Sequence, residues 1–293
     1  MTLRDALVTV LNRPGGRTAL AAIATLYARR LNRASRGAPL RVLYDGKVGA
    51  WGRAQGDRVV IDGSRFRYWT DQLSLAADGT PPWVATARRL WFVDYDPRPG
   101  DVILDIGAEV GTDTVAFADA VGPTGRVVAV EAHPVTFRLL QRTVELSGLQ
   151  DRVICLNAAI ADSAGSLVIE DDASTLRSTV RREGEGHVVR ALSLDDLCAE
   201  LGLGEIALLK MNIEGAEREA LQGAAATLAK SRHVAVAAHD FRADRGDGES
   251  YRTRDFVLKV LSGAGLQTRM APYDPARDPI ADRDHVLARP AAR

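Results

Sequence analysis

The chain of 293 residues carries 38 lysines plus arginines against 38 aspartates plus glutamates, so its formal net charge is zero. Its 46 % apolar and 26 % charged residues are ordinary for a globular protein. That balance argues against a nucleic-acid partner, which usually leaves a basic excess, and the length suits one large α/β domain with an extra segment or two small domains.

In chain order, residues 1–37 read as helical with a break near Pro14. Arginine dominates this start, and Asp5 is the one acid before Asp45. A solvated helix face is the simplest reading of that run, a membrane surface or an acidic partner the other. Residues 18–28 are apolar but too short to span a bilayer, and they run into Arg29 and Arg30 without a cleavage pattern. They are expected to form part of an amphipathic helix in a cytoplasmic protein. Cys155 and Cys198 form no CxxC pair, which speaks against a zinc or redox motif and fits a reducing compartment.

Short β-like runs follow at residues 41–44 and 58–61, with Asp-Gly turn signals at 45–46 and 62–63. Pro81 and Pro82 open a helix on which Trp83, Val84, Ala87, Leu90 and Trp91 share a face. Residues 1–94 contain no chemical motif and are taken as a cap or lid. Residues 95–293 form the second part.

There the texture changes. Apolar runs at 101–106, 126–131, 152–156, 206–210 and 233–238 alternate with helical patterns. This rhythm predicts a mostly parallel sheet covered by helices on both faces. Phe256, Val257, Val260 and Leu261 mark a last helix, and residues 266–270 and 285–288 a terminal hairpin-like pair.

The first apolar run ends in Asp105, Gly107, Glu109 and Gly111. In such sheets ligands bind outside the carboxyl ends of the strands. Gly107 allows a tight turn and Gly111 a close helix. The G-x-x-x-G spacing lacks the central glycine that makes room for a pyrophosphate, so a cofactor without phosphates is favoured over NAD. Glu131 ends the next strand, where a carboxylate can accept from two ribose hydroxyls. Ala132 follows it, and Asn157 and Ala158 follow the third strand, placed to meet a base. His133 either meets that base or serves as the helix entry before Pro134. Lys210, Asn212 and Glu214 alternate with apolar Met211 and Ile213 at the end of the fourth strand, and Glu217 follows in the turn after it. His239 follows the fifth strand directly and is the best base candidate, since histidine titrates near neutral pH. No acidic cluster has a metal-ligand spacing, so no metal is expected.

The runs at residues 100–108 (GDVILDIGA), 130–134 (VEAHP) and 193–197 (SLDDL), leading into 208–217 (LLKMNIEGAE), resemble the FkbM family of S-adenosylmethionine-dependent O-methyltransferases over residues 95–290. The last motif is the specific part. The resemblance implies a Rossmann-like class I methyltransferase fold, with a seven-stranded sheet whose last strand runs antiparallel. It implies S-adenosylmethionine as cofactor, held by Asp105, Gly107, Gly111 and Glu131, to which the residue pattern adds Glu109, Ala132, Asn157 and Ala158. His239, Asn212 and Glu214 are the candidates for catalysis. Position 212 is usually aspartate in the family; asparagine keeps the shape and an acceptor oxygen but loses the charge.

The resemblance points to a hydroxyl on a saccharide or natural-product small molecule as acceptor. Trp69, Trp83 and Trp91 are read as framing the acceptor side or a subunit interface, with core packing the alternative for the last two. A homodimer stays open. Two other functional readings stand beside this one. A non-catalytic cofactor-binding protein is kept alive by Asn212. A nicotinamide-dependent oxidoreductase is disfavoured by the glycine spacing and by the lack of a Tyr-x-x-x-Lys pair.

Overall fold

A computed structural model describes residue 13, residues 16–64, residue 66, residues 70–169, residues 180–181 and residues 186–291. The expected helix before residue 13, and Trp69, lie outside these residues. The described elements begin with helix α1 (Arg17–Leu31), strands β1 (Arg41–Asp45), β2 (Ala50–Gln55) and β3 (Arg58–Gly63), and helices α2 (Thr70–Leu73) and α3 (Pro82–Leu90). Then come β4 (Val102–Ile106), α4 (Thr112–Ala120), β5 (Arg126–Glu131), α5 (Pro134–Leu146), β6 (Val153–Asn157), β7 (Ala159–Ile160), β8 (Gly165–Ile169), β9 (Val180–Arg181) and β10 (His187–Leu192). The chain closes with α6 (Leu194–Glu200), β11 (Ile206–Met211), α7 (Glu217–Gln222), α8 (Ala225–Ala229), β12 (Ser231–Ala237), α9 (Asp240–Asp244), α10 (Arg254–Gly263), β13 (Leu266–Met270) and β14 (His285–Pro290).

Seven strands make the main sheet in the order β13-β14-β12-β11-β4-β5-β6. The pairs among β12, β11, β4, β5 and β6 are parallel, and β14 runs antiparallel to both its neighbours. This is the sheet the family resemblance implied. Its strands are apolar throughout because both faces are covered. Ile103, Val127, Val153 and Leu208 point into one cluster with α3, α4 and α5. Leu104, Val128, Leu209 and Val234 point into the other with α6, α7, α8 and α10. After β4 the chain moves outward through β5 and β6, and β11 returns on the other side of β4. The order therefore reverses between β4 and β11, and a crevice opens at their carboxyl ends.

The N-terminal third is a three-stranded antiparallel sheet, β1-β2-β3, packed with α1. β2 had no clear sequence signal. The hairpin turn sits at Gly56-Asp57, not at residues 62–63, where β3 continues to Gly63. Edge strand β3 is satisfied by α5: the Thr143 hydroxyl accepts from Ile61 N at 3.0 Å, and the Ser147 hydroxyl from Val59 N at 3.0 Å. A paired edge is protected from adding a foreign strand. Arg58 with Asp119 and Arg142 with Asp45, both at 2.7 Å, tie the same surfaces. Trp83 and Trp91 are each 2 % exposed, so they pack in the core and frame neither an acceptor nor an interface.

A second unexpected sheet, β7-β10-β8-β9, inserts after β6. Alternation along β10, with Val189 and Ala191 buried and Val188 and Arg190 exposed, was the sequence signal for it. Among the described residues no helix is long and apolar enough to cross a membrane.

Candidate active site

At the carboxyl edge of β11, β4, β5 and β6 lies a cavity open to solvent, about 650 Å³ with its solvent-filled mouth included. Each strand end contributes. Gly107 and Glu109 come from the β4 turn, Glu131, Ala132 and His133 from the end of β5, Ala158 from β6, and Asn212 and Glu214 from β11. Its described lining falls between Ile106 and Ala216, and none of the described residues of 1–94 is part of it.

The β4 turn is compelled by its neighbour. Gly107 has φ +75°, and a Cβ there would lie 1.9 Å from the Asn212 carbonyl oxygen. Only glycine lets the two strand ends approach this closely. Gly111 has φ +89°, and its Cβ would lie 2.9 Å from Leu140 Cδ1, so it serves the packing of α4 on α5 as expected and does not line the cavity. Glu109 and Glu214 are the two non-glycine residues with positive φ among those described, +50° and +54°. Backbone strain of this kind concentrates at functional sites, and here it aims two carboxylates at one cavity.

Glu131 is preset. Its Oε2 accepts from Glu109 N at 2.9 Å and its Oε1 from His133 N at 2.8 Å, which leaves further acceptor capacity toward the cavity. Burial pushes its pKa up to about 7, against the pull of those two N–H donors. Burial likewise pushes Glu109 up to about 8. His133 does both things open to it: it lines the cavity, and its Nδ1 accepts from Val135 N at the start of α5.

Besides Gly111, two expected cofactor contacts sit elsewhere. Asp105 is fully buried behind the turn, where its Oδ2 accepts from Thr114 Oγ1 at 2.6 Å and its Oδ1 from Lys210 Nζ at 2.8 Å. Lys210 also donates to the Gly107 carbonyl at 2.7 Å, and lies 5.3 Å from the Trp91 ring centroid. Asp105 thus holds the turn from behind. Asn157 does not line the cavity; its Nδ2 donates to the Glu131 and Ala132 carbonyls at 2.8 and 2.9 Å and braces the end of β5.

The expected base, His239, does not fit that role. It is 3 % exposed and absent from the cavity wall. Its Nδ1 lies 3.0 Å from Glu217 Oε1 and its Nε2 3.5 Å from Glu214 Oε1. Burial disfavours its charge, but the two carboxylates outweigh this and hold its pKa up to about 10. An imidazolium at neutral pH has no free lone pair to take a proton. Glu217 is fully buried and also accepts from Thr253 Oγ1 at 3.0 Å. Glu214 is gripped by His239 and by Arg242 at 2.7 Å; burial acts to raise its pKa, and these two cations bring it below the usual value. Sequence reasoning missed Arg242, whose only signal was its place after His239.

The buried Asn212 Oδ1 has no hydrogen-bond partner, and Asn212 lines the cavity. A buried acceptor left open at a cavity wall is a ready contact for a ligand donor. The end toward β6 is apolar: Val130, Ala158, Ala159, Ile160 and Ile169. The cavity therefore offers an apolar slot, a diol-matched carboxylate in the middle, and a polar end lined by Glu109, Asn212 and Glu214.

These raised carboxylates predict a pH dependence. A ligand whose hydroxyls or positive charge favour the ionised form must displace protons from Glu131 and Glu109. Affinity should fall about tenfold per unit of pH between about 8 and about 7, and approach about 100-fold per unit below that, where both carboxyls must lose a proton. It should level off above about 8, where both are ionised in the free protein. Calorimetry in buffers of differing ionisation enthalpy would read proton release at pH 6 and little at pH 9; a flat profile would contradict the assignment.

Residues 105–265 match the family described as Methyltransferase FkbM domain, more than half of the chain. The 2-O-methyltransferase NoeI of Sinorhizobium fredii is 30 % identical over 156 residues, 47 % of this chain and 63 % of that protein. The 31-O-demethyl-FK506 methyltransferase FkbM of Streptomyces tacrolimicus is 28 % identical over 212 residues, 61 % of this chain and 76 % of that one. The hexuronic acid methyltransferase AglP of Haloferax volcanii is 27 % identical over 191 residues, 64 % of this chain and 70 % of that protein.

Proposed function

The chain belongs to the FkbM methyltransferase family, and from that premise we propose that it methylates a hydroxyl of a sugar or natural-product small molecule. The cofactor is S-adenosylmethionine; the oxidoreductase reading falls with the family match. The carrying observation is Glu131, preset by two backbone N–H groups between an apolar slot and an acidic end.

The residues present fit this cofactor. Glu131 would take the ribose hydroxyls, and the slot of Ala158, Ile160 and Ile169 the adenine. Glu109 and the open Asn212 oxygen would face the cationic methionine part. When bound, the cofactor would supply an electrophilic methyl group on a sulfonium sulfur, transferred to an acceptor hydroxyl oxygen as the C–S bond breaks and a neutral thioether leaves. Alignment of that oxygen supplies much of the rate, because the leaving group is already activated.

The protein's further task is to receive the hydroxyl proton. Glu214 is the cavity carboxylate kept ionised by two cations, and it is assigned that task. His239 is assigned to positioning Glu214, not to proton abstraction. Asp105, Gly111 and Asn157 shape the site without touching the cofactor. The three relatives named above act, by their names, on a 2-O position, on 31-O-demethyl-FK506 and on a hexuronic acid, which supports an oxygen acceptor.

The test is transfer of a radiolabelled methyl group to a panel of monosaccharides, uronic acids and hydroxylated macrolides. Labelled ether on one class is expected, with kcat reduced at least about 100-fold by Glu214→Gln, the size of a lost proton acceptor. Labelling of only amine acceptors would overturn the oxygen assignment.

A further inference from the structure

Helix α1 is apolar on both sides. Leu20, Ala24 and Ala28 are buried against the N-terminal sheet, while Ala19, Ala22, Ile23 and Leu26 line the outer face at i, i+3, i+4 and i+7. Ile23 is 56 % and Leu26 63 % exposed, among the few large apolar side chains exposed in the described residues. A helix apolar on two sides normally has a partner on each; the described residues supply one.

Charge says what the other is. Arg30 continues the same outer face one turn after Leu26, Arg29 flanks it, and Arg33 and Arg36 follow just beyond the helix, all exposed. None of these four side chains is engaged in an ion pair among the described residues. No acid occurs between Asp5 and Asp45 in a chain whose net charge is zero. An apolar strip bordered by unpaired arginines is the pattern of a helix lying in a bilayer interface with anionic headgroups.

We propose that the outer face of α1, centred on Ile23 and Leu26 and bordered by Arg29, Arg30, Arg33 and Arg36, docks the protein on an anionic lipid surface. The apolar pair enters the headgroup boundary and the guanidinium groups meet lipid phosphates. This would bring the enzyme to acceptors that are carried by, or partition into, a membrane. The docking claim itself does not depend on the acceptor.

The test is co-sedimentation of the full chain with vesicles of phosphatidylcholine alone and of phosphatidylcholine with phosphatidylserine. Binding to the anionic vesicles is expected, lost at high salt and reduced at least about tenfold by Ile23→Ser with Leu26→Ser and, separately, by Arg29→Ala with Arg30→Ala. Cofactor affinity of all variants should be unchanged, which shows that they fold. The proposal is overturned by no anionic binding at low salt, or by binding that the variants leave intact. It is equally overturned if light scattering shows that Ile23 and Leu26 drive self-association of the chain.

Discussion

Glu131→Ala is expected to weaken S-adenosylmethionine binding roughly 100-fold while leaving the cofactor-free protein as stable as before or slightly more so. The affinity loss follows from two hydroxyl bonds to a charged acceptor, together worth about 3 kcal/mol. The stability result follows from the raised pKa. Burial holds Glu131 near 7, so in the free protein this carboxylate sits in an environment that does not favour its charge. A group kept at such a site serves binding at the expense of the fold. Calorimetry and urea denaturation on the same variant separate the two effects. A variant that lost stability and affinity together would make Glu131 a structural residue instead.

Lys210→Met is expected to cost stability most, about 3–5 kcal/mol, because it strands buried carboxylates. Lys210 is 1 % exposed and lies 2.8 Å from Asp105 and 3.9 Å from Asp113. Burial opposes its charge, yet Asp105 and Asp113 hold its pKa above the usual value. Burial pushes Asp113 itself up to about 6, with Lys210 pulling the other way and Trp91 Nε1 donating to it at 2.9 Å. Loss of Lys210 also frees the Gly107 carbonyl at the cavity wall. The double variant Lys210→Met with Asp105→Asn should recover much of the stability lost in the single variant, since a stranded charge costs more than a missing pair. Urea midpoints read both. A single variant within about 1 kcal/mol of the parent would show that the pair contributes little.

The fold was legible where the residue pattern was regular. Five apolar runs with helical patterns between them specify a parallel sheet, and the terminal antiparallel pair β13 and β14 followed from its own two short runs. What escaped was short or two-sided: β2, whose Gly52 and Arg53 interrupt the apolar pattern, and the insertion from β7 to β10. The site was half legible. Gly107, Glu109, Glu131, Ala132, Ala158, Asn212 and Glu214 do meet at one cavity, because strand ends in such a sheet converge there whatever lies between them in sequence. Asp105 and Asn157 stand at the right strand ends, but their side chains turn to Lys210 and the β5 carbonyls, while Gly111 lets α4 pack close on α5. Sequence position does not show which way a side chain turns. His239 was misjudged for a related reason. Its titration depends on Glu217, 22 residues away, and on Glu214, whose left-handed backbone points it across the cavity wall. Two carboxylates around one histidine convert a base into a fixed cation.

The central claim is that the cavity at the ends of β11, β4, β5 and β6 holds S-adenosylmethionine with its ribose on Glu131 and its methionine end toward Asn212 and Glu214. A crystal structure of the chain with S-adenosylhomocysteine tests it most directly. The account predicts both ribose hydroxyls within hydrogen-bond reach of Glu131, adenine between Ala158 and Ile169, and a ligand donor on the open Asn212 oxygen. Adenine at the acidic end, or ligand bound outside this cavity, would contradict it.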